Sequence, residues 1–321
     1  MTPAPGDRED RTTAAWGGPG GRVAAVPGGR SGPVAAVPGR RKGVVAAGPA
    51  GLDGSVAAVP VFLYHSVAVD PPSWIAPFTV SPRTFAEQLG LIADSGLRVV
   101  PLRALVAAQR GGAPLPERAA VLTFDDGFAD FRATVLPLLA RWGMPATLYV
   151  TTGGLADGRA GGPFPPGSRM LSRDQLAEID AAGVEIGGHT RTHPQLDVLR
   201  SGRMREEVAG CGRELEDVLG HSVTAFAYPH GYSSRAVRAQ VRAAGWTSSA
   251  AVRDAFSSAG DDPWRFARLM VRADTGRELF REWTRGAGAP VAPFPEGFRT
   301  RGWRAYRRTR ERLHVPYKAL A

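Results

Sequence analysis

Two adjacent carboxylates, Asp125 and Asp126, stand on a glycine turn directly after an apolar run, in the stretch Leu122-Thr-Phe-Asp-Asp-Gly-Phe128. Neighbouring negative charges repel, so a chain keeps them together most readily where a cation or a proton-transfer task stabilises them. An Asp-Asp-Gly turn is also common on protein surfaces, where water solvates both charges. The pair alone leaves a functional site and a surface turn both open.

A second polar stretch, Gly187 to Pro194, follows a predicted strand, Val184 to Ile186, and contains His189 and His193. Two histidines four residues apart can face the same way on one helical turn, and imidazole is a favoured zinc ligand. An isolated pair with this spacing is a weak signal. A carboxylate oxygen from Asp126 would complete a set of two histidines and one carboxylate, which leaves a coordination position for the water that hydrolytic zinc uses.

The elements that must position these residues alternate regularly from Pro60 onward. We predict strands at 61–64, 97–100, 119–124, 146–150, 184–186, 224–228, 246–252 and 266–271, and helices at 81–96, 102–110, 128–142, 172–182, 201–219, 234–244 and 277–283. This rhythm implies parallel β/α units, so we expect an α/β fold, a distorted (β/α)7–8 barrel. The chemistry of such barrels gathers at the C-terminal strand ends. The candidate residues there are His65, Asp125, Asp126, His189 and the turn Tyr228 to Gly231.

The two ends of the chain differ in composition from its central part. Residues 1–58 are dominated by Gly, Pro, Ala and Val, which predicts a disordered tail. Residues 59–285 form the predicted catalytic domain, and residues 286–321 form a basic extension. The net charge of +10 lies in the tails, because residues 59–285 carry 25 basic and 24 acidic side chains.

The basic tail has three interpretations. It favours contact with an anionic surface, but a solvated extension that reflects the arginine bias of the chain, 38 Arg against 2 Lys, explains it as well. Nucleic-acid binding through residues 299–312, where Trp303 and Tyr306 interleave with arginines, is the weakest of the three. We therefore expect no nucleic-acid partner.

The single cysteine, Cys211, excludes an internal disulfide framework and a multi-cysteine zinc site. The sequence contains no secretory signal and no apolar run of the length that spans a bilayer. We therefore expect no transmembrane segment and a cytoplasmic location. If the protein is cytoplasmic, we expect its substrate to be a precursor molecule that is either linked to a lipid or soluble.

Three motifs resemble, in order and spacing, the polysaccharide deacetylases of the NodB-homology type (carbohydrate esterase family 4). They are Thr123-Phe-Asp-Asp-Gly127, His189-Thr-Arg-Thr-His193 and Phe226-Ala-Tyr-Pro-His-Gly231. The resemblance extends from Pro60 to Asp274. It implies a distorted (β/α) barrel that removes N-acetyl groups from amino-sugars with a divalent metal, Zn²⁺ first, with Co²⁺ or Ni²⁺ as alternatives.

The resemblance also implies roles for single residues. The metal ligands would be one carboxylate and two histidines: Asp126, His189 and His193. Asp125 would be the general base that takes a proton from the attacking water. The tetrahedral oxyanion would be stabilised by the metal and by a backbone N–H from the turn 229–231, in which His230 replaces the usual tyrosine.

The general acid departs from the common family pattern. Leu269-Met-Val271 has a valine where that pattern has its acid histidine. Tyr64-His-Ser-Val67 matches a branch that resembles the bacterial exopolysaccharide deacetylases, which take their acid from an early Tyr-His. We therefore assign His65 as the general acid, with a structural histidine of the barrel core as the alternative.

A second departure concerns the orientation of the base. Ala227 stands where many members have an arginine that positions the base aspartate. Arg268, at the end of the last predicted strand, could orient Asp125 from another direction. An exposed or purely structural arginine is the alternative.

Three residues are candidate substrate contacts: Trp74, Tyr228 and His230. Trp74 lies in a long loop and could be a platform for a sugar ring, or a core residue that anchors the loop. The Gly/Pro-rich segment from Gly153 to Ser168 could be a lid over the cleft.

The sequence thus predicts a metal-dependent hydrolase that removes N-acetyl groups from an amino-sugar-containing glycan or glycan precursor and releases acetate. Two alternatives stay open. One is a catalytically silent glycan-binding module on the same barrel, and the other is an amide hydrolase for a non-glycan acetylated metabolite. The complete set of metal ligands, base and acid argues against the silent module.

Overall fold

The computed structural model describes residues 57–155, 164, 168–294, 302, 306 and 309. The tail predicted for residues 1–58 and the extension predicted for residues 286–321 lie largely outside the described residues. So does most of the predicted lid between Gly153 and Ser168. Within the described part of the chain, no helix has both the length and the apolar character needed to cross a bilayer.

The strands of the described chain form one large parallel sheet and one small one. They are β1 (Val61–Tyr64), β2 (Ser66–Val67), β3 (Thr79–Val80), β4 (Arg98–Val99), β5 (Ala119–Phe124), β6 (Thr147–Val150), β7 (Glu185–Gly188), β8 (Ala225–Ala227), β9 (Ser248–Ala250) and β10 (Leu269–Met270). The large sheet has the order β10-β1-β5-β6-β7-β8-β9, with β4 also paired to β5, and β2 pairs with β3. Its pairs are all parallel, as the strand and helix alternation predicted.

The segment from Phe266 to Met270 closes the sheet. Phe266 makes a parallel bridge to Ala250 of β9, while Leu269 pairs with Phe62 of β1. The two ends of the sheet therefore meet through this irregular stretch, which confirms the predicted distorted barrel. Arg268 lies within it.

The helices cover the outside of the sheet. They are α1 (Pro82–Asp94), α2 (Leu102–Gln109), α3 (Leu136–Trp142), α4 (Arg173–Ala181), α5 (Ser201–Leu219), α6 (Arg235–Ala243) and α7 (Arg277–Thr284). A capping box begins α4, because Ser172 accepts from the N–H of Gln175 and the Gln175 side chain accepts from the N–H of Ser172.

The helix predicted for residues 128–142 is not one regular α-helix. A π-helical turn, Phe131–Val135, precedes α3. Pro137 has no N–H to donate to the preceding turn, so a regular α-helical hydrogen-bond ladder cannot run through this point.

Side chains alternate between two faces along each strand. In β5, Leu122 and Phe124 belong to the core between sheet and helices, whereas Val121 packs in a second cluster with Tyr149 and Ala227. That second cluster fills the barrel interior. Continuing the alternation past the strand ends places His65, Asp125 and His189 on the interior face, which is how the strands position the site.

Candidate metal centre and active site

Three side chains that follow β5 and β7 come together in the arrangement that the sequence predicted for a metal. The Oδ1 atom of Asp126 lies 3.3 Å from Nε2 of His193 and 3.6 Å from Nε2 of His189. One ligand atom from each of the three residues lies within 4.8 Å of the others. Ligands about 2.1 Å from a tetrahedral zinc are separated by about 3.4 Å, so the spacing of the three residues suits such an ion.

The hydrogen bonding and the pKa of Asp126 also suit the binding of a cation. Oδ1 of Asp126 is buried and has no hydrogen-bond partner among the described residues. Burial, together with the negative charge of Asp125, raises the pKa of Asp126 to about 7 against the opposing charges of His65 and Arg268. A buried carboxylate with this environment needs a positive charge before it ionises readily.

The two histidines present the nitrogen that a metal would use. Nδ1 of His189 is 2.9 Å from the carbonyl oxygen of Ala227, which leaves Nε2 facing Asp126. Burial lowers the pKa of His189 to about 3 and that of His193 to about 4. Neutral imidazole is the form that binds a metal, so the surroundings favour coordination.

Several residues at this site have backbone conformations that residues with a side chain rarely adopt. Positive φ angles occur at Asp126 (77°), Thr190 (69°), His193 (56°) and His230 (57°), four of the five non-glycine cases in the described chain. Gly127 continues the turn with φ of 90°. Such strain persists only where the surroundings fix the conformation, and it clusters at functional sites.

Asp125 makes its hydrogen bonds with Arg268, and its Oδ2 lies 3.8 Å from Nε2 of His189. The Nη1 and Nη2 atoms of Arg268 donate to Oδ1 and Oδ2 of Asp125 at 2.7 and 2.8 Å. The arginine also donates to the carbonyl of Ala251 and lies with its guanidinium 5.4 Å from the centroid of the Tyr149 ring. Its side chain is 0% exposed, so the surface-arginine alternative is excluded.

This pairing sets the charge of Asp125. Burial by itself raises the pKa of the carboxyl, but the charge and hydrogen bonds of Arg268, helped by the nearby imidazole of His189, outweigh burial and lower that pKa to about 2. Asp125 is therefore ionised at neutral pH. The two neighbouring aspartates have opposite electrostatic environments.

His65 follows β1 and is half-buried beside this pair. Its ring centroid lies 5.3 Å from that of Phe78, and its Nδ1 has no hydrogen-bond partner among the described residues. Burial lowers the pKa of His65, while the charges of Asp126 and Asp125 oppose that effect. The next residue, Ser66, donates to the carboxylate of Asp130 at 2.5 Å, which connects the loops that carry His65 and Asp125.

Residues 112–249 match the model of the family described as polysaccharide deacetylase. The matched segment contains Asp125, Asp126 and both histidines of the candidate metal set. The match covers less than half of the chain, and over that segment the chain is similar to polysaccharide deacetylases.

Part of the chain is similar in sequence to a known deacetylase. The poly-β-1,6-N-acetyl-D-glucosamine N-deacetylase of Escherichia coli (strain K12) is 34% identical over 120 residues, which cover 35% of this chain and 18% of that protein. The chain thus spans less than a fifth of that relative.

Two solved structures have the same fold as the described part of the chain. The Streptococcus pyogenes deacetylase PplD, solved in complex with acetate, superposes with a TM-score of 0.62 at 22% identity, over 70% of this chain and 96% of that one. The de-N-acetylase of Aggregatibacter actinomycetemcomitans has a TM-score of 0.62 at 21% identity, over 70% and 99% of the two chains.

Tyr228 does not face the metal set, which corrects its assignment as a substrate contact. The ring is fully buried in the outer core, and its hydroxyl lies 2.6 Å from Oγ of Ser249 and donates to the carbonyl of Trp264. The reason is strand alternation. Ala225 and Ala227 of β8 face the barrel interior, so Tyr228 faces the helices.

The other two candidate substrate residues lie near the centre. His230 is exposed, and its ring meets that of His193 edge-on with centroids 4.7 Å apart. Trp74 is partly buried and stacks on Phe164, whose ring centroid lies 5.7 Å from that of His193. Trp74 thus belongs to an aromatic wall one layer away from the metal ligands.

Several residues that hold the site were not identified from the sequence. Thr190 Oγ1 accepts from the N–H of His193 at 3.0 Å, and Thr151 donates to the carbonyl of His189 at 3.1 Å. Glu207 of α5 contacts the loop between the two histidines. Thr190 lies inside the histidine motif and could have been examined there, but the contact from Glu207 depends on how α5 packs.

Proposed function

We propose that the protein is a metal-dependent hydrolase that removes N-acetyl groups from a polymer containing N-acetylglucosamine and releases acetate. The observation that carries this proposal is the buried set Asp126, His189 and His193 beside an Asp125 that Arg268 keeps ionised. A binding module has no use for a separately ionised carboxylate next to a metal set.

The relatives support the chemistry and the substrate class. The Escherichia coli relative is named for the deacetylation of poly-β-1,6-N-acetyl-D-glucosamine, and it matches this chain at 34% identity over 120 residues. The two solved structures are those of a de-N-acetylase and of a deacetylase in complex with acetate. Together with the site they favour an acetamide on an amino-sugar as the bond that is broken.

The metal ligands in this proposal are Asp126, His189 and His193. A divalent metal held there, Zn²⁺ first and Co²⁺ or Ni²⁺ as alternatives, supplies a Lewis acid that polarises the acetamide carbonyl and makes a water more acidic. The carbonyl of Ala227 fixes the tautomer of His189, and burial keeps both imidazoles neutral.

Asp125 acts as the general base in this scheme. Arg268 holds both carboxylate oxygens, which fixes the direction of the remaining lone pairs and keeps the group ionised. As water attacks the carbonyl carbon, Asp125 accepts its proton. Buried acids and bases held by such contacts contribute rate factors of about 10²–10⁴.

His65 acts as the general acid. The amine leaves only when its nitrogen receives a proton, and His65 is the imidazole near Asp125 and Asp126 that is not in the metal set. Collapse of the tetrahedral intermediate breaks the C–N bond, releases acetate and leaves the sugar with a free amine.

The turn after β8 would supply a backbone donor to the oxyanion. Pro229 has no N–H, and the N–H of Gly231 donates to the carbonyl of Tyr228 at 2.8 Å. A backbone donor from this turn therefore has to come from His230. His230 has a positive φ, so its backbone does not continue the extended conformation of a regular strand end.

Acetate release from defined oligomers tests the proposal. The protein would be stripped of metal, reloaded with Zn²⁺, Co²⁺ or Ni²⁺, and incubated with N-acetylglucosamine oligomers of β-1,6 and β-1,4 linkage. We expect metal-dependent acetate release, with β-1,6 oligomers preferred, and a loss of roughly 100-fold or more in kcat for Asp125→Asn.

The matched control is Asp180→Asn, which removes a carboxylate that pairs with His221 on the surface. It should leave acetate release unchanged. Equal oligomer binding by wild type and Asp125→Asn without acetate release would instead identify a binding module. Release from small acetylated amides but from no oligomer would refute the glycan substrate.

A further inference from the structure

The loop between the two histidine ligands is held from outside the barrel by one carboxylate of α5. Oε2 of Glu207 accepts from the backbone N–H groups of Arg191 and Thr192 at 3.0 and 2.8 Å, and Oε1 accepts from the hydroxyl of Thr192 at 2.7 Å. All three donors lie between His189 and His193.

Glu207 is a buried carboxylate with an arginine beside it. Its side chain is 1% exposed, and Nη2 of Arg203, one helical turn earlier, lies 3.0 Å from Oε1. Two consecutive backbone N–H groups directed at one carboxylate form an anion-binding concavity. The carboxylate itself is buried, so its removal would take away the acceptor that the N–H groups of Arg191 and Thr192 share.

A second contact from the same face of α5 holds the loop through the side chain of Arg191. The Arg191 side chain passes over Gly210, where a Cβ would come within 2.6 Å of its Cδ, and its Nη2 reaches Oε1 of Glu214 at 2.7 Å. Glu207 and Glu214 are seven residues apart, so they share one face of α5. The helix thus contacts both the backbone and a side chain of the loop.

The loop needs such support because its backbone is strained at the points that matter for a metal. Thr190 and His193 have positive φ angles of 69° and 56°. Conformations of this kind are unfavourable for residues with a side chain and persist only when neighbours impose them. The bonds from Glu207 lie between these two residues.

We propose that Glu207 is the positioning residue of the metal centre, and that its bonds to Arg191 and Thr192 set where His193 meets His189 and Asp126. The inference rests on the metal-dependent function proposed above. Partners that orient metal ligands from the outer shell typically account for 10- to 100-fold in metal affinity.

The test compares Glu207→Gln with Glu206→Gln in the full chain. Both variants remove one carboxylate from neighbouring positions of α5, but Glu206 is exposed and pairs with Arg203 at the surface. Zinc Kd would be measured by competition with a chelator, and unfolding of the metal-free proteins would be followed in parallel. We expect the Kd to rise roughly 10- to 100-fold for Glu207→Gln and to stay unchanged for Glu206→Gln.

The absorption spectrum of bound Co²⁺ gives a readout that general destabilisation would not move. It should change in Glu207→Gln, because the ligand geometry changes, and should be the same in Glu206→Gln and wild type. Should Glu207→Gln fail to fold, Thr192→Val removes only the hydroxyl contact from an exposed residue and should raise the zinc Kd by roughly three- to tenfold.

The outcomes separate this inference from the proposed function. Wild-type zinc affinity and Co²⁺ spectrum in folded Glu207→Gln would overturn the positioning role and leave the proposed function intact. A wild-type chain that binds no zinc, cobalt or nickel would overturn both. Equal losses in Glu207→Gln and Glu206→Gln would also overturn the positioning role, because the effect would then be one of helix charge.

Discussion

Asp125 and Asp126 are identical side chains on neighbouring residues, and their different contacts give them different chemistry. Arg268 lies against one of them with two hydrogen bonds, while the other faces two imidazole nitrogens without a hydrogen bond to its Oδ1. Repulsion between the two charges is therefore relieved by two separate cations, a guanidinium and, in the proposed function, a metal ion.

The Asp125 and Arg268 pair should be strongly coupled in stability. Removing one partner leaves the other buried and unpaired, which costs about 3–5 kcal/mol, whereas removing both leaves no uncompensated charge. We expect Asp125→Asn and Arg268→Met each to lower the free energy of unfolding by such an amount. The double variant should lose much less than the sum.

Urea unfolding of the four metal-free proteins measures this coupling. A parallel cycle on Arg83 and Glu87, an exposed pair of α1, serves as the control and should give a coupling of about 0.5 kcal/mol or less. Additive losses at Asp125 and Arg268 would show that the two hydrogen bonds do not act as one unit.

For single residues, the sequence predicts which side chains belong to a motif. It does not predict contacts that depend on tertiary packing. Asp126, His189 and His193 could be placed because each follows a strand. Tyr228 was wrong because its side chain follows the alternation of β8, which directs it into the outer core. Glu207 could not be found because a glutamate on a helix reveals nothing of the loop that packs on it.

The turn after β6 and the histidine loop after β7 extend the sheet beyond its strands. The N–H of Thr152 donates to the carbonyl of Thr190 at 3.2 Å, and that of Gly153 to the carbonyl of Arg191 at 2.8 Å. A Cβ at Gly153 would lie 2.4 Å from that carbonyl oxygen. A residue without a side chain is therefore required where the turn meets the loop.

Gly153→Ala should displace the histidine loop. The contact would be with a backbone oxygen, which cannot move aside as a flexible side chain can. We expect the variant to unfold at lower temperature and to bind zinc more weakly, by roughly tenfold or more, since the loop carries His193. Thermal unfolding and chelator competition measure the two effects.

Gly202→Ala is the matched control for this substitution. Gly202 lies in α5 with open space around the position of a Cβ, so alanine there should leave zinc affinity unchanged and stabilise the helix by up to about 1 kcal/mol. If both variants bind zinc like wild type, the close approach of turn and loop does not position the ligands.

The bounds of some predicted helices and strands agree with the structure, and those of others differ. The predicted bounds of α5 agree with the structure at both ends, because its apolar positions recur at helical spacing and Gly220 ends it. The bounds of β1 and β5 also agree with the prediction, but other strands are shorter than predicted. One of them is β9, which covers Ser248–Ala250 within the predicted 246–252, since pairing with neighbours and not composition decides where a strand ends.

Closure of the whole barrel rests on contacts that no local pattern shows. The alternation of strands and helices predicted a parallel barrel, but the irregular segment after β9 joins the two sheet ends through Phe266 and Leu269. Arg268 lies between those two residues and points at Asp125. The last turn of the barrel thus delivers the counter-charge of the proposed base.

A metal at this centre would tie together parts of the chain that the barrel brings close. Asp126 follows β5 and His193 follows β7, with β6 between them in the sheet. An ion that binds the folded chain and not the unfolded chain stabilises it by about 2.7 kcal/mol at a free concentration of 100 times Kd. For a domain of this size that corresponds to a rise in unfolding temperature of roughly 5–10 °C.

We therefore expect Zn²⁺ to raise the unfolding temperature of the metal-stripped protein by that amount, and chelation to reverse the rise. Asp126→Asn should abolish the shift because it removes the carboxylate ligand, while Asp180→Asn, on the surface, should keep it. Amide hydrogen exchange should slow on zinc addition in residues 126–127 and 189–193, where the ligands lie. An equal shift in wild type and Asp126→Asn, or protection elsewhere in the chain, would place the bound zinc outside this centre.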